Sequence, residues 1–247
     1  MSDTAADTTY RLLPLGQDGI LVRFGDGLQA HPDRAQAFAD TLRAADLSGV
    51  TEIATSLAAT YLRFRPAEIG RDALTEQLYR LLDAPHAPQA KTRSRLWTIP
   101  ASFGGDSGPQ LDAAAALAGL SPQAAIAEIA ATDLSVLAIG FAPGQPYLGH
   151  LSPGWDMPRQ RDLAPQVPAG ALVVALRQIV LFANPSPTGW RWIGTCAFAP
   201  FLPDRMEPFA LRAGDRLRFA PTDADTIARL RAGQTDGLGG AVCTDVP

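Results

Sequence analysis

The chain has 247 residues, 47% of them hydrophobic and 19% charged, and a net charge of −4, which excludes a disordered polymer and argues against a general nucleic-acid surface. No apolar run approaches the ~20 residues of a membrane helix, and the opening MSDTAADTTYR lacks the apolar core of a secretory signal. The expectation is a cytoplasmic protein that contacts neither membrane nor nucleic acid.

In chain order, residues 1 to 9 read as a loose start, and GILVRFG (19–25) as a short strand closed by glycine. HPDRAQAFADTLRAA has helical spacing, with Ala35, Phe38 and Leu42 on one face and Pro32 or Asp33 at its start. VTEIAT and TYLRFRP read as strands. Asp72 is placed to cap ALTEQLYRLL, where Leu74, Leu78 and Leu81 line one side. Strand, helix, strand, strand, helix suits a small α+β layer with helices on one sheet face. DAPHAPQAKTRSR (83–95) reads as a linker, and it holds Lys91, the only lysine. A lysine-based phosphate loop or Schiff base would have to use that position.

The second half changes texture. RLWTIPASF opens it as a strand, LDAAAALAGL is a helix closed by Gly119, and Ser121 with Pro122 starts the helix SPQAAIAEIAA. After LSVLAIGF the helical signal nearly vanishes until DADTIARLRAG. ALVVAL, IVLFA, WRWIG and RLRFAP are short strands between Gly/Pro turns, the texture of a barrel or sandwich. The boundaries expected are an N-terminal α+β domain (1–85), a linker (86–95), a barrel (96–222) and a C-terminal helix and tail (223–247).

Chemical signals are sparse. No phosphate-binding loop, dinucleotide fingerprint or G-x-S-x-G elbow is present. Cys196 and Cys243 make no metal-ligand pattern, and both a disulfide and two free thiols stay open. His31 and His86 read as surface residues. His150 lies in GFAPGQPYLGHL (140–151), where two readings stand: a ligand or proton carrier near neutral pH, and a residue filling a turn. Asp215 in RAGDRLRF reads as a turn residue before a strand. Arg159, Arg161 and Arg177 are candidates for holding a carboxylate or phosphate, since guanidinium presents a planar fork of donors.

Five phrases occur in order: IPASFGGDSGPQL, GFAPGQPYLGHL, MPR…VPAG, SPTGWRWIG and RAGDRLRF. Together they resemble the family of the 5-oxoprolinase B subunit, also called allophanate hydrolase subunit 1, which includes the Kip kinase inhibitor. The resemblance spans most of residues 10–220. It implies a small α+β domain, α/β-sandwich-like, followed by a cyclophilin-like β-barrel. It also implies a companion of related barrel fold, like the 5-oxoprolinase C subunit, then a third subunit, and ATP consumed in the complex as 5-oxoproline opens to glutamate. A urea-degrading allophanate hydrolase subunit and a regulatory protein that binds a histidine kinase are the alternatives it carries.

The chain departs from the family's phrases at several polar positions. Phe103 and Asp106 stand for a tyrosine and a glutamate, and Leu117 and Ile129 for two histidines. Leu163 and Ala164 replace a second Pro-Arg pair, QIVLFA (178–183) replaces QTGIYP, and Thr195 replaces an arginine. The turn-shaping Gly140, Pro143, Gly144 and Gly149 are kept, as are Arg159 and Gln178. The expected site therefore has His150, Arg159 and Gln178 as candidate catalytic groups. Gly140, Pro143, Gly144, Tyr147, Gly149, Arg177 and Trp190 are the candidate substrate-binding positions around a loop at the barrel mouth. No metal is expected. The hypothesis is a divergent paralogue with a retained scaffold and a rebuilt pocket.

Overall fold

The structure is a computed structural model that describes residues 10–25, 31–84, 94–233 and 236–246. The chain divides into two compact units, residues 1–90 and 91–247. Of the expected linker (86–95), residues 86–93, with His86 and Lys91, lie outside the described residues, whereas Ser94 and Arg95 begin a strand.

In the first unit, β1 (Tyr10–Leu15), β2 (Gly19–Phe24), β3 (Val50–Thr55) and β4 (Ala59–Phe64) form an antiparallel sheet in the order β1-β2-β4-β3. Strand side chains alternate between faces, so Ile20, Val22 and Phe24 of β2 and Leu62 and Phe64 of β4 share one buried side. Against it pack Ala35, Phe38 and Leu42 of α1 (Pro32–Ala45) and Leu74, Leu78 and Leu82 of α2 (Arg71–Asp83). The buried Thr60 hydroxyl donates to the Ala35 carbonyl at 2.7 Å, joining β4 to α1. Helix α2 starts earlier than expected. Its N-cap is Gly70, and Asp72 lies in the first turn, where its charge faces the positive end of the helix dipole. Arg71 anchors that start by donating to the carbonyls of Gly16, Gln17 and Gly19 while lying over the Phe64 ring.

The second unit is built on β5 (Ser94–Phe103), β6 (Leu134–Ile139), β7 (Pro146–Gly149), β9 (Ala171–Ala175), β10 (Gln178–Leu181), β12 (Arg191–Cys196) and β13 (Arg216–Pro221). These seven strands close into a barrel in the order β5-β12-β9-β10-β7-β6-β13, with β13 returning to β5 in a parallel pairing. Between β5 and β6 lie α3 (Leu111–Leu117) and α4 (Pro122–Ala131). Ser121 caps α4 by accepting from the Ala124 N–H. Ala114, Ala115, Ala125 and Ile129 from these helices join Leu148, Leu172, Val174, Ile179 and Ile193 in one core. A separate ribbon pairs β8 (Ala164–Val167) with β11 (Ser186–Thr188).

After α5 (Ala224–Gly233), residues expected to be a tail form β14 (Val242–Val246), which pairs with the first half of β5. Its side chains are almost all exposed, so no apolar alternation marks it in the sequence. Backbone pairing alone defines it.

Candidate functional site

Two faces of the β9–β10 hairpin are buried. Leu172, Val174, Ile179 and Leu181 point into the barrel, while Val173, Val180 and Phe182 join a second apolar cluster with Trp190 and Tyr147. A cavity of about 260 Å³ opens over that second face, between the barrel wall and the residues flanking the β8–β11 ribbon. This cavity lies on the outer wall of the barrel, because Tyr147, Val180 and Phe182 have the strand parity opposite to the interior residues.

The phrase GFAPGQPY makes one edge. Gly140 N–H donates to the Gln145 carbonyl at 3.0 Å, and Gln145 N–H to the Ala142 carbonyl at 3.1 Å, closing a tight turn before β7. Phe141 sits at φ 70° and is 76% exposed on the cavity's lip. Gly144 is at φ 72°, and a Cβ there would stand 2.7 Å from that of Phe201, so the turn admits only glycine. Behind it, Gln145 is 1% exposed and its Oε1 accepts from the Ala183 N–H at 3.3 Å.

The opposite edge carries the charge. Arg159 lies with its guanidinium carbon 5.3 Å from the centre of the Trp190 ring, within cation–π range. Its neighbours hold it there. Gln160 N–H donates to the Gly189 carbonyl at 2.6 Å, Gln160 Nε2 to the Trp190 carbonyl at 3.2 Å, and Arg191 to the Pro158 carbonyl at 2.7 Å. Gln110 donates to Gln160 Oε1 at 2.8 Å and accepts from the Trp192 N–H at 2.8 Å, tying the segment to the start of α3. Tyr147 meets the Trp190 ring edge-on, with centroids 6.2 Å apart. Thr188 accepts from the Trp190 N–H at 3.0 Å. No carboxylate lines the cavity, and the contact the structure records for the Arg159 guanidinium among the described residues is the Trp190 ring rather than an acid.

Of the residues expected from sequence, Tyr147, Arg159 and Trp190 come together as cavity lining, and Gly140, Pro143 and Gly144 lie in the turn beside it. Gln178 and Gly149 are register partners on β10 and β7, outside the lining. His150 is exposed just after β7. Arg177, at φ 61°, turns the β9–β10 hairpin with Leu176 and donates Nε to the Leu151 carbonyl at 2.9 Å. Gln110, Gln145, Gln160 and Thr188 lie outside the expected set. Gln145 is readable in sequence only as one of three side chains in its phrase, with Tyr147 and His150, able to act on a ligand; Gln110, Gln160 and Thr188 are neutral and carry no such mark. Among the departures from the family phrases, Leu163, Val180 and Phe182 line the cavity, whereas Ile129 is core and Leu117 is exposed.

Asp215 is more than a turn residue. It is 4% exposed and forms a bidentate pair with Arg95, Nε to Oδ1 at 2.9 Å and Nη2 to Oδ2 at 2.5 Å. Cys196 is buried and Cys243 exposed, both free thiols; burial pushes the Cys196 thiol up to about 12. No group of three or more His, Cys, Asp or Glu able to hold a metal occurs among the described residues, and no single described helix is long and apolar enough to cross a membrane. ATP does not fit the cavity. A triphosphate needs several cations, a metal or a run of backbone N–H groups, and Arg159 is the one charged residue in the lining.

The sequence matches the carboxyltransferase domain family, subdomains C and D, over residues 10–211. It is 35% identical over 162 residues to the 5-oxoprolinase B subunit of Escherichia coli O157:H7, covering 66% of this chain and 73% of that one. It is 29% identical over 225 residues to the Bacillus subtilis protein of the same name, covering 85% and 92%. A crystal structure of TTHA0988 superposes with a TM-score of 0.69 at 33% identity; 83% of this chain matches 40% of that longer one. Kluyveromyces lactis urea amidolyase shares the fold at a TM-score of 0.79 and 14% identity, over 98% of this chain and 16% of that one. On the family match and the coverage of its bacterial relatives, this chain belongs to the carboxyltransferase domain family, subdomains C and D, together with the 5-oxoprolinase B subunit.

Proposed function

We propose that this chain is the substrate-anchoring subunit of an ATP-dependent complex that hydrolyses a small amide or lactam, 5-oxoproline being the reference substrate. One observation carries the reading. Arg159 is an arginine stacked on the Trp190 ring rather than on an acid, beside an apolar cavity without carboxylates. A guanidinium so placed binds a carboxylate through charge-assisted hydrogen bonds, while Val180, Phe182 and Trp190 take up the ring. The relatives named as the 5-oxoprolinase B subunit point to the same chemistry.

The lining contains no histidine, carboxylate or thiol to act as base or nucleophile. In this reading the chain binds and orients, and the reacting groups and the nucleotide site lie on a companion subunit. Leu163, Val180 and Phe182 mark where the pocket departs from the family phrases, which suits a divergent paralogue with an altered substrate. Co-expression with the companion subunits tests it. Turnover of 5-oxoproline and ATP that requires this chain, or turnover of another small anionic amide, supports the reading. An assembled complex that neither binds nor turns over any such amide refutes it.

A second reading, a regulatory protein docking on a kinase or other partner, is favoured by the exposure of Phe141 (76%) and Leu163 (68%) on the cavity's lip. Affinity capture from native extract separates the two: companion subunits support the first, a histidine kinase the second.

A further inference from the structure

Gln145 is a polar side chain that the protein has buried almost completely, at 1% exposure, in the wall of the cavity. Burying a carboxamide costs free energy unless its hydrogen bonds are made. Half of them are. Oε1 accepts from the Ala183 N–H at 3.3 Å, and that donor fixes the orientation of the amide, since a flipped NH2 would face another donor. The donor side, the NH2 group, has no acceptor among the described residues and is not sealed off: it opens on the cavity that the side chain borders. Its position is not adjustable. The backbone N–H and carbonyl of Gln145 are both committed to the 140–145 turn, and Gly144 packs that turn against Pro200 and Phe201.

The cavity thus offers two recognition groups of different kind: a cation at the lip and a neutral donor in the wall. We infer that Gln145 is a specificity-determining residue whose NH2 reads a carbonyl oxygen of the ligand while Arg159 holds its carboxylate. This rests on the proposed binding of an anionic amide and narrows it. The ligand is a compact molecule bearing both a carboxylate and an amide or lactam carbonyl on an apolar frame. A site built to pair a polar group rejects the analogue lacking it, because its own buried donor is then left unpaired. A carboxylate without the carbonyl therefore binds poorly.

The test is isothermal titration of the assembled complex with 5-oxoproline and with cyclopentanecarboxylate, which keeps ring and carboxylate but lacks the lactam. The wild type favours 5-oxoproline by about tenfold or more, the value of one hydrogen bond. Gln145→Met, close in shape, brings the ratio to about one and leaves cyclopentanecarboxylate binding within about twofold. Gln145→Glu keeps the acceptor for Ala183 and replaces the donor by a charge; both ligands weaken, and the ratio falls below one. This variant carries the test should the Met variant fail to assemble. Arg159→Ala weakens both ligands and preserves the ratio. A wild type without preference, or a Met variant that keeps it, overturns the role of Gln145 and leaves the anchoring function standing. A wild-type complex that binds neither of these ligands nor any other small anionic amide overturns both.

Discussion

The Arg95–Asp215 pair gives the sharpest prediction about what holds the barrel closed. Arg95 is the second residue of β5, Asp215 immediately precedes β13, and these two strands form the parallel pairing. Asp215 is 5% exposed in its side chain and Arg95 18%. Asp215 Oδ2 also accepts from the Arg212 N–H at 2.9 Å, and Arg95 donates to the Ala210 carbonyl at 3.1 Å. Removing one partner of a buried pair costs about 3–5 kcal/mol, because the other charge stays buried alone. The two partners are unequal. Without Asp215, Arg95 keeps water access and its place over Trp97, which puts Asp215→Asn near the low end, about 3 kcal/mol. Without Arg95, the carboxylate is stranded with a single backbone donor, so Arg95→Met falls nearer 5 kcal/mol. The double variant is less destabilised than Arg95→Met alone, because no orphan charge remains. Thermal melts followed by circular dichroism read this as a drop of about 6–12 °C for Asp215→Asn. A drop of less than about 2 °C, or a double variant equal to the sum of the singles, contradicts the argument.

Other consequences follow from the same structure. Gly144→Ala forces a side chain into left-handed backbone and against Phe201, which destabilises by about 1–3 kcal/mol. It also displaces Gln145, so both the melting temperature and ligand affinity fall; a change in neither refutes the close approach. Gln160→Leu removes the bonds to Gln110 and the Trp190 carbonyl and frees the segment that carries Arg159. KM for the anionic substrate rises about tenfold with kcat nearly constant, read from steady-state kinetics of the complex. Burial holds the Cys196 thiol, ordinarily near 9.0, up to about 12, so folding favours its protonated form. That contribution is complete below the ordinary value and lost as pH rises toward the folded one, and Cys196→Ala flattens the alkaline decline of the melting temperature.

Much of the scaffold was legible because its signals are local. Ile20, Val22 and Phe24 alternate, Ala35, Phe38 and Leu42 recur at helical spacing, and Ser121-Pro122 announces α4. What the sequence concealed depends on distant pairings. ALVVA in β9 is apolar throughout, and nothing in it distinguishes the face toward the barrel from the face toward the cavity. Placing the cavity on the outer wall needed the strand register. The partnership of Asp215 with Arg95 spans 120 residues, and the local sequence shows only a turn. Gln145 stands out in sequence only as one of three side chains in GFAPGQPYLGHL, with Tyr147 and His150, able to act on a ligand, and Gln160 carries no such mark; geometry gives both their roles. Arg159 could be singled out because it follows Pro158 in the rigid MPRQR, where a solvated strand-edge charge is a weaker explanation.

Steady-state kinetics of the assembled complex with Arg159→Ala bear most directly on the anchoring role. One lost charge-assisted bond at a partly exposed guanidinium predicts a KM for 5-oxoproline, or for whichever anionic amide the complex turns over, raised about 10- to 30-fold. The kcat stays within about threefold, because the proposed reading places the reacting groups on a companion subunit. An unchanged KM with normal assembly contradicts the account.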